Sequence, residues 1–330
     1  ETLLELMRHF DGDGPSLESI RGIAFRDGGH ICQTELRPLV ADLDNLPFPA
    51  RHLFDMGRYN IPGTLLTARG CPSRCIFCVA PALYPDLSYR MHSPQRVVEE
   101  IECLVTEYKL NAFIIVDDTF TLQPKRAIEI CDLIINSGLN VKWGCEARIN
   151  TMTPELARKL FEAGCIEVQY GVETGDPEIM QRIRKGIELE QVEEVVRYSL
   201  ATGMNVVCSF IIGHPWDTRD TVQRTLDFGL KLSKLGAGSS GDSRFCTRVL
   251  TFFAPHTPFP GSYTFEHAEE LGLRFLTTDW DRFSFTEPVV ETRYLTAADI
   301  REFYMLGLGA VRDTVLFRSA YRSPFTKAST

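Results

Sequence analysis

Three cysteines, Cys71, Cys75 and Cys78, stand close together in the chain, with three and then two residues between them. Thiolates are the protein ligands of iron–sulfur clusters, and four-iron clusters usually take four of them. The next cysteine, Cys103, lies in a segment of helical periodicity, so only three thiolates are near one another in sequence. The spacing predicts a four-iron cluster with one open iron, which could chelate the amine and carboxylate of an amino acid.

A zinc site is a second interpretation of the same three cysteines. His52 or His92 could complete a tetrahedral site, and the chain would then be a structural or interaction module. A cluster that only passes electrons is less favoured, because no fourth cysteine is nearby. The later cysteines are expected to be small apolar core residues. These are Cys103, Cys131, Cys145, Cys165, Cys208 and Cys246.

The overall composition is that of an ordinary globular protein. The 330 residues are 44% hydrophobic and 24% charged, with a net charge of −9 and no Lys/Arg block. A nucleic-acid partner is not expected, because binding a phosphate backbone needs a basic face. No apolar run is long enough to cross a membrane, and the first residues do not form a signal peptide. Cysteine clusters without a secretory signal indicate a reducing compartment, so we expect a cytoplasmic protein.

The elements that position the cysteines form a regular alternation of strand and helix from about residue 62. Six β-then-α units predict a parallel sheet, because parallel neighbours need a crossover helix. Either a doubly wound sheet or an incomplete barrel would place ligands at the carboxyl ends of the strands. The predicted strands are Gly63–Arg69, Asn111–Asp117, Val141–Glu146, Ile166–Val172, Val206–Ile212 and Arg248–Phe253.

Three segments follow from this pattern. The pattern of residues 1–60 predicts a helix, a β-hairpin around Asp27 and a stiff linker. Because no Met opens the chain, we interpret this segment as the exit from an upstream domain. Residues 61–262 are the α/β domain, with a mobile loop expected at Gly236–Ser243. Residues 263–330 form a C-terminal helical extension, with a short helix near Phe265–Leu271 and a last helix near Ala297–Phe317.

The cysteine spacing, with Phe77 before the last cysteine, resembles the radical S-adenosylmethionine (SAM) superfamily. Further motifs extend the resemblance to the subgroup that carries a cobalamin-binding domain, which includes anaerobic magnesium-protoporphyrin ester cyclase and radical methyltransferases. They include Arg69–Pro72, Asp117–Thr121, Gly171–Gly175, Phe210–Pro215 and Thr257–Gly261. The resemblance implies a partial (βα)6 TIM-like barrel.

The resemblance also implies the chemistry. A [4Fe-4S] cluster on Cys71, Cys75 and Cys78 would bind the methionine end of SAM and, once reduced, cleave it to methionine and a 5′-deoxyadenosyl radical. The radical would remove hydrogen from a small-molecule substrate in a site closed to solvent. A one-electron reductant such as flavodoxin or ferredoxin is the implied partner. Cobalamin is a further cofactor that the subgroup can use, and the upstream domain that residues 1–60 would follow is then expected to be a cobalamin-binding domain missing from this sequence.

Residues at the strand ends receive roles from the same resemblance. Asp117 and Asp118 would contact the SAM ammonium, although a helix-capping pair is an alternative. Arg148 could hold the methionine carboxylate while Glu146 takes ribose hydroxyls or substrate, but the two could equally form a structural ion pair. Glu173 is the preferred ribose or substrate contact.

The last candidates lie around the fifth and sixth strands. Gly213 would approach the adenine, beside Phe77. His214 could donate or accept a proton in the cavity, or simply be a histidine wedged in a turn. Tyr263 is a candidate catalytic residue, and Arg248 and His256 are weaker candidates for substrate contacts.

Two reaction types remain open at this stage. The first is cobalamin-linked radical methyl transfer or cyclisation in specialised metabolism. The alternative is a cobalamin-independent radical dehydratase or epimerase, in which only the adenosyl radical acts.

Overall fold

A computed structural model provides the coordinates of the chain. The described residues are 1–59, 63–84, 88–236 and 248–313. Three sequence predictions therefore fall outside them: most of the loop Gly236–Ser243, the core position of Cys246, and the end of the last helix beyond Asp313. The chain divides into two compact units, Glu1–Leu43 and Asp44–Thr330. The predicted three-part division at residues 60 and 262 stays a prediction.

The first unit contains one helix and the predicted hairpin. Helix α1 covers Thr2–Asp11 and ends at Gly12, which adopts the left-handed conformation that glycine tolerates. Strands β1 (Ala24–Asp27) and β2 (His30–Gln33) pair antiparallel across a two-residue Gly-Gly turn.

The second unit is built on a parallel sheet of six strands in the order β3-β6-β7-β8-β9-β10. Two short strands, β4 and β5, form a separate antiparallel ribbon beside the segment that holds Cys71, Cys75 and Cys78, which we call the cysteine loop. Strand β11 pairs with β12. The strands are β3 (Thr64–Leu65), β4 (Ala68–Arg69), β5 (Arg90–Met91), β6 (Ala112–Ile115), β7 (Lys142–Ala147), β8 (Cys165–Glu173), β9 (Asn205–Ile212), β10 (Val249–Pro255), β11 (Arg274–Phe275) and β12 (Val290–Glu291).

Helices cross over between successive strands of the sheet, and neighbouring helices pack against one another. This arrangement confirms the predicted partial (βα)6 barrel. The helices are α2 (Ala80–Leu83), α3 (Pro94–Thr106), α4 (Pro124–Asn136), α5 (Pro154–Glu162), α6 (Pro177–Arg182), α7 (Leu189–Thr202), α8 (Arg219–Leu235), α9 (Tyr263–Glu266) and α10 (Ala297–Asp313).

Local sequence explains where these helices begin. Ser93, Thr153 and Asp176 each accept a hydrogen bond from a first-turn amide and are each followed by proline, whose missing N–H costs nothing there. In β9, alternate residues from Val206 to Ile212 are buried against the helices, whereas Ser209 and its neighbours on the other face stay partly open. That open face lines the interior of the barrel.

The first predicted strand, Gly63–Arg69, is wrong as one element. The chain leaves the sheet after β3 because the Thr67 amide donates to the Asp117 carboxylate instead of to a strand, and β4 then pairs with β5. The helix predicted near Phe265–Leu271 is shorter and earlier, as α9. Within the described residues, none of the helices combines the length and the apolar character needed to cross a membrane.

Candidate functional site

The cysteine loop leaves β4 at a glycine that geometry requires. Gly70 has a φ of 103°, and a Cβ there would lie 1.9 Å from the Ser88 carbonyl oxygen. On its other side, the loop is tied to the end of α6, because the Ile76 amide donates to the Ile183 carbonyl at 3.2 Å. The loop is therefore held between β5 and α6 at the carboxyl edge of the sheet.

All three predicted cysteines line one cavity of about 210 Å³, together with residues that follow β6, β7 and β8. We call it the cysteine cavity. Its polar side chains come from six different segments, so the barrel mouth gathers groups that are far apart in sequence. They are Ser73, Asp118, Thr119, Glu146, Arg148, Gln169, Glu173, Lys185 and Ser209.

The thiols fit a cluster better than a single metal ion. No three His, Cys, Asp or Glu side chains of the described residues converge to hold one ion, whereas a cluster binds each thiolate at a different iron. Burial raises the pKa of Cys78, and Cys75 and Cys71 raise it further, so its thiolate needs a cationic partner. Arg148 Nη1 lies 3.8 Å from Cys75 Sγ.

Neither of the two histidines considered as a fourth zinc ligand lines the cysteine cavity. His92 lines a different cavity and its Nδ1 lies 3.0 Å from an Asp44 carboxylate oxygen. His52 is exposed. The geometry therefore favours a cluster held by three thiolates.

The two adjacent aspartates after β6 have different positions. Asp117 is buried, and its carboxylate accepts from the amides of Thr67 and Ala68 and from the Thr67 hydroxyl. It braces the entry to the cysteine loop, and its predicted contact with SAM stays a prediction. Asp118 lines the cysteine cavity, and partial burial raises the pKa of its carboxyl.

Glu146 and Arg148 both line the cavity, but they do not form the ion pair considered as an alternative. Arg148 donates to the Lys185 carbonyl and approaches Cys75. Glu146 faces the cavity, where desolvation raises the pKa of its carboxyl and the nearby Asp118 raises it further. An acceptor and a cation thus line the same cavity.

Glu173 ends β8 in an unusual conformation. Its φ is +74°, which is strained for a residue with a Cβ, and it follows a register shift in the pairing of β8 with β9. Its Oε1 lies 2.7 Å from Lys185 Nζ, and both side chains are buried. A Cβ on Gly171 would lie 2.3 Å from the same Oε1, so glycine is needed beside the pair.

The turn after β9 holds two of the predicted residues, Gly213 and His214. Gly213 has a φ of 93°, and the amides of Gly213 and His214 donate to Asp217 Oδ2 at 3.0 and 2.8 Å. His214 is fully buried and packs between Phe77 and His256, with ring centroids 5.8 and 5.6 Å away. Of these residues only Phe77 lines the cysteine cavity. The burial of His214 fits the histidine wedged in a turn, and its proton transfer stays a prediction.

Tyr263 lies on the other side of the cysteine loop. It lines a second cavity, of about 380 Å³, that Cys75 and Cys78 also border. Its ring stacks on His267 with centroids 3.9 Å apart. Its predicted catalytic contact with substrate is therefore not in the same space as Glu173.

Sequence reasoning gave no role to four polar residues of the cysteine cavity, Ser73, Thr119, Lys185 and Ser209. Lys185 lies twelve residues from Glu173, so the sequence gives no local signal of the pair. Ser209 lies on the open face of β9, and strand alternation could have found it.

Comparisons with known proteins place these features in a family. The model of the Radical SAM superfamily matches residues 65–229, half of the chain. An uncharacterized methyltransferase of Pyrococcus horikoshii is 34% identical over 87% of this chain and 60% of its own length. Anaerobic magnesium-protoporphyrin IX monomethyl ester cyclase of Cereibacter sphaeroides is 26% identical over 92% of this chain and 50% of its own length. The chain thus spans only half to 60% of these relatives.

Solved structures show the same fold. The cobalamin-dependent SAM radical enzyme OxsB, with aqua-cobalamin and SAM bound, has a TM-score of 0.69 at 19% identity, over 93% of this chain and 48% of that one. The radical SAM methyltransferase TsrM of Kitasatospora setae, with cobalamin and a [4Fe-4S] cluster, has a TM-score of 0.66 at 18% identity, over 94% of this chain and 65% of that one. The relatives confirm the resemblance drawn from the motifs.

Proposed function

Because the chain belongs to the Radical SAM superfamily, we propose that its barrel cleaves SAM reductively and removes hydrogen from a small-molecule substrate in a radical methyl transfer. Members of this family bind a [4Fe-4S] cluster and SAM. The observation that supports the proposal most is the meeting of Cys71, Cys75 and Cys78 with Asp118 and Glu173 in one cavity at the carboxyl ends of the strands.

The residues of the cavity have complementary tasks in this proposal. The three thiolates would hold a cluster, and the chemistry that it would supply there is one-electron reduction of SAM. Asp118 accepts from the ammonium of SAM, and Arg148 faces its carboxylate. Glu173, fixed by Lys185, accepts from the ribose hydroxyls. Roles for His214 and Tyr263 in the reaction stay predictions, since their side chains lie outside this cavity.

Deoxyadenosine formation tests the radical step. After anaerobic reconstitution with iron and sulfide, the protein should show the electron paramagnetic resonance of a reduced four-iron cluster. With SAM and dithionite it should release 5′-deoxyadenosine. Cys78→Ala should abolish the release, because the cluster loses a ligand. Cys131→Ala, which changes a buried thiol of α4 itself, should keep most of it.

Two outcomes would contradict the radical proposal. Normal deoxyadenosine release from Cys78→Ala protein would remove the cysteine cavity from the chemistry. A colourless protein with one tightly bound zinc ion would instead support the structural module considered from the sequence.

Methyl transfer is the finer part of the proposal and has a separate test. It is supported by the methyltransferases among the relatives, which include a cytidylyl-2-hydroxyethylphosphonate methyltransferase of Streptomyces wedmorensis, 28% identical over 65% of this chain and 46% of its own length. Protein reconstituted with hydroxocobalamin, reduced by excess titanium(III) citrate to the cob(I)alamin that can take a methyl cation, and given SAM with a labelled methyl group should carry the label on cobalamin. Bound cobalamin that stays unlabelled would contradict cobalamin-linked transfer and leave the deoxyadenosine test intact.

A further inference from the structure

Another cavity lies at the edge of the parallel sheet. It has a volume of about 530 Å³ and is bordered by residues 46–59, by the edge strand β3 and by α3. We call it the edge cavity. Pockets that bind small molecules have volumes of about 300–1,000 Å³, so the size of this cavity suits a small molecule.

Most of the wall of the edge cavity is apolar, and part of that wall is exposed to water. Phe54 and Tyr59 are 60% and 51% exposed, and Val116 and Leu66 are 47% and 39% exposed. An apolar patch gathered in one concave place is typical of a binding site, whereas single exposed apolar side chains are not. The wall therefore favours a ligand with an apolar body.

Three arginines of the described residues line the same cavity, and each has a hydrogen-bond donor without a partner. Arg51 Nη1, Arg69 Nε and Arg96 Nη1 are buried and have no acceptor among the described residues. Arg51 is only 7% exposed, so its guanidinium is largely cut off from bulk water. A buried donor without an acceptor costs free energy, and more so when it is charged. A ligand that brought acceptors would recover that free energy.

The carboxylate in the wall does not balance these arginines. Glu100 is the one acidic residue among the described residues that line the cavity, and its Oε1 accepts from Arg51 Nη2 at 2.5 Å. Arg69 and Arg96 form no ion pair with any described residue. The wall therefore keeps an excess of positive charge after the one ion pair is counted.

Two further carboxylates lie near the cavity but do not line it. Asp44 accepts from the Ser93 amide, and its Oδ1 lies 3.0 Å from His92 Nδ1. Asp55 is exposed, where solvent screens its charge, and it accepts from the Gly57 amide. Both carboxylates already have partners, so the unused arginine donors still lack acceptors.

Two of the arginines are held in position without a ligand. Arg96 Nη2 donates to the Leu46 carbonyl at 3.0 Å, and the guanidinium carbon of Arg96 lies 3.4 Å from the Phe48 ring centroid. Arg51 Nη2 also donates to the Thr64 carbonyl at 2.8 Å. Donors that are fixed in this way lose little conformational freedom when an acceptor binds.

We propose that the edge cavity binds an apolar small molecule that carries an anionic group, either a carboxylate or a phosphate. The arginines pair with the anionic group, and the exposed apolar wall packs on the rest of the molecule. This site goes beyond the proposed function, because binding here requires neither a cluster nor SAM.

Titration calorimetry with three probes that share one alkyl chain tests the site. The probes are octanoate, octyl phosphate and 1-octanol, each titrated into the wild-type protein. At least one of the two anions should bind about tenfold or more tightly than 1-octanol, because only an anion pairs with the arginines. Salt should weaken the binding of that anion and leave 1-octanol unaffected. The anion that binds more tightly identifies the group as carboxylate or phosphate.

Four variants make the result specific. Phe54→Glu places a negative charge on an exposed part of the wall, so it should weaken anion binding about tenfold further than Phe54→Gln, which removes the same ring without adding charge. Arg96→Gln should also weaken anion binding and change 1-octanol binding less. Arg58→Gln is the matched control, since Arg58 is exposed in the same segment but does not line the cavity, and it should bind all three probes as the wild type does.

Several outcomes would overturn the site. Equal affinity for the anions and 1-octanol would remove the role of the arginines, and binding of none of the probes would remove the site itself. An equal loss of anion binding in Arg58→Gln and Arg96→Gln would report overall surface charge instead of this cavity. A wild-type dimer that dissociates in Phe54→Glu and binds no probe would mean that a second copy of the chain covers the cavity; sedimentation velocity measures this. Deoxyadenosine release is independent of all these outcomes.

Discussion

Gly171 shows how one missing side chain shapes the proposed SAM site. A Cβ there would lie 2.3 Å from Glu173 Oε1 and 2.7 Å from Lys185 Nζ, so the buried pair occupies the space that any other residue would need. Its conservative replacement by alanine must therefore push the carboxylate or the ammonium away. The effect should appear in ligand binding, since the fold needs no bend at this residue.

For Gly171→Ala we expect SAM affinity to fall about tenfold, the equivalent of roughly 1.4 kcal/mol, because Glu173 leaves its position. Isothermal titration of SAM into anaerobically reconstituted protein measures it. Gly309→Ala in α10 is the matched control, since its Cβ would meet nothing within 4 Å. Equal affinities of the Gly171→Ala and wild-type proteins would show that the pair does not contact the ligand.

Lys185 should matter for stability as well as for binding. Removing one partner of a buried ion pair leaves the other charge uncompensated and costs about 3–5 kcal/mol. We therefore expect Lys185→Met to lower the free energy of unfolding by that order in urea denaturation. The double variant Lys185→Met with Glu173→Gln should recover much of the loss, because no buried charge is left. A double variant less stable than Lys185→Met would contradict this account.

Residue types and spacing predicted the cysteines, Asp118, Glu146, Arg148 and Glu173 as lining one site. They could not separate Asp118 from Asp117, because the two carboxylates are adjacent and a bend of the chain after β6 decides which one faces the cavity. Sequence patterns also could not predict that Lys185 is the partner of Glu173, because the position of Lys185 depends on how α6 ends.

At the scale of elements, the N-terminal cap of α6 determines where Lys185 lies. Asp176 Oδ1 accepts from the Ile179 amide at 2.9 Å, and Oδ2 accepts from Arg224 Nε at 2.7 Å. The cap thus fixes the start of a six-residue helix whose end carries Lys185 to Glu173. A substitution of Asp176 should therefore also displace Lys185 in the cysteine cavity.

We expect Asp176→Ala to destabilise the protein by about 1–2 kcal/mol, the usual loss for a helix cap, and to weaken SAM binding. Chemical denaturation and titration calorimetry measure the two effects. Asp176→Asn keeps an oxygen acceptor for the Ile179 amide, so it should lose less on both measures. If Asn and Ala proved equally harmful, the ion pair with Arg224 would be the main contribution rather than the cap.

Strand and helix alternation predicted a parallel sheet of βα units, and it placed β8 and β9 to within a residue or two of their observed bounds. The approach failed where side chains replace backbone pairing. The Thr67 amide donates to the Asp117 carboxylate instead of pairing in the sheet, and a pattern of apolar residues cannot predict that hydrogen bond. Repeated βα periodicity is thus easier to predict than the irregular segments that carry the chemistry.

At the scale of the whole molecule, buried ionisable groups above the sheet set the response to pH. Burial lowers the pKa of His256 to about 4 from 6.5, and that of His214 well below its usual value. Neither imidazole has a hydrogen-bond partner among the described residues. Burial raises the pKa of Asp217 to about 6 from 3.8. The histidines and the aspartate therefore change the free energy of unfolding in opposite directions as the pH changes.

The signs follow from proton binding. Between about pH 6.5 and 4 the unfolded chain protonates His256 and the folded chain does not, so stability falls as pH falls, by up to about 1.4 kcal/mol per unit. Between about pH 6 and 4 the folded chain binds the proton at Asp217, so stability from this group is lost as pH rises. The wild-type profile is therefore flatter than either group alone would give.

Single variants should separate the two contributions in free energies of unfolding measured by urea denaturation from pH 4.5 to 7.5. His256→Leu should gain stability over wild type as pH falls, by roughly 2–3 kcal/mol at pH 4.5 relative to pH 7.5, because no buried imidazole remains to be protonated on unfolding. Asp217→Asn, whose carbonyl can still accept from Gly213 and His214, should gain over wild type as pH rises. Each variant is the control for the other, since general damage would shift both profiles in the same direction at every pH. Parallel profiles for the two variants would mean that these buried groups do not govern the acid response of the fold.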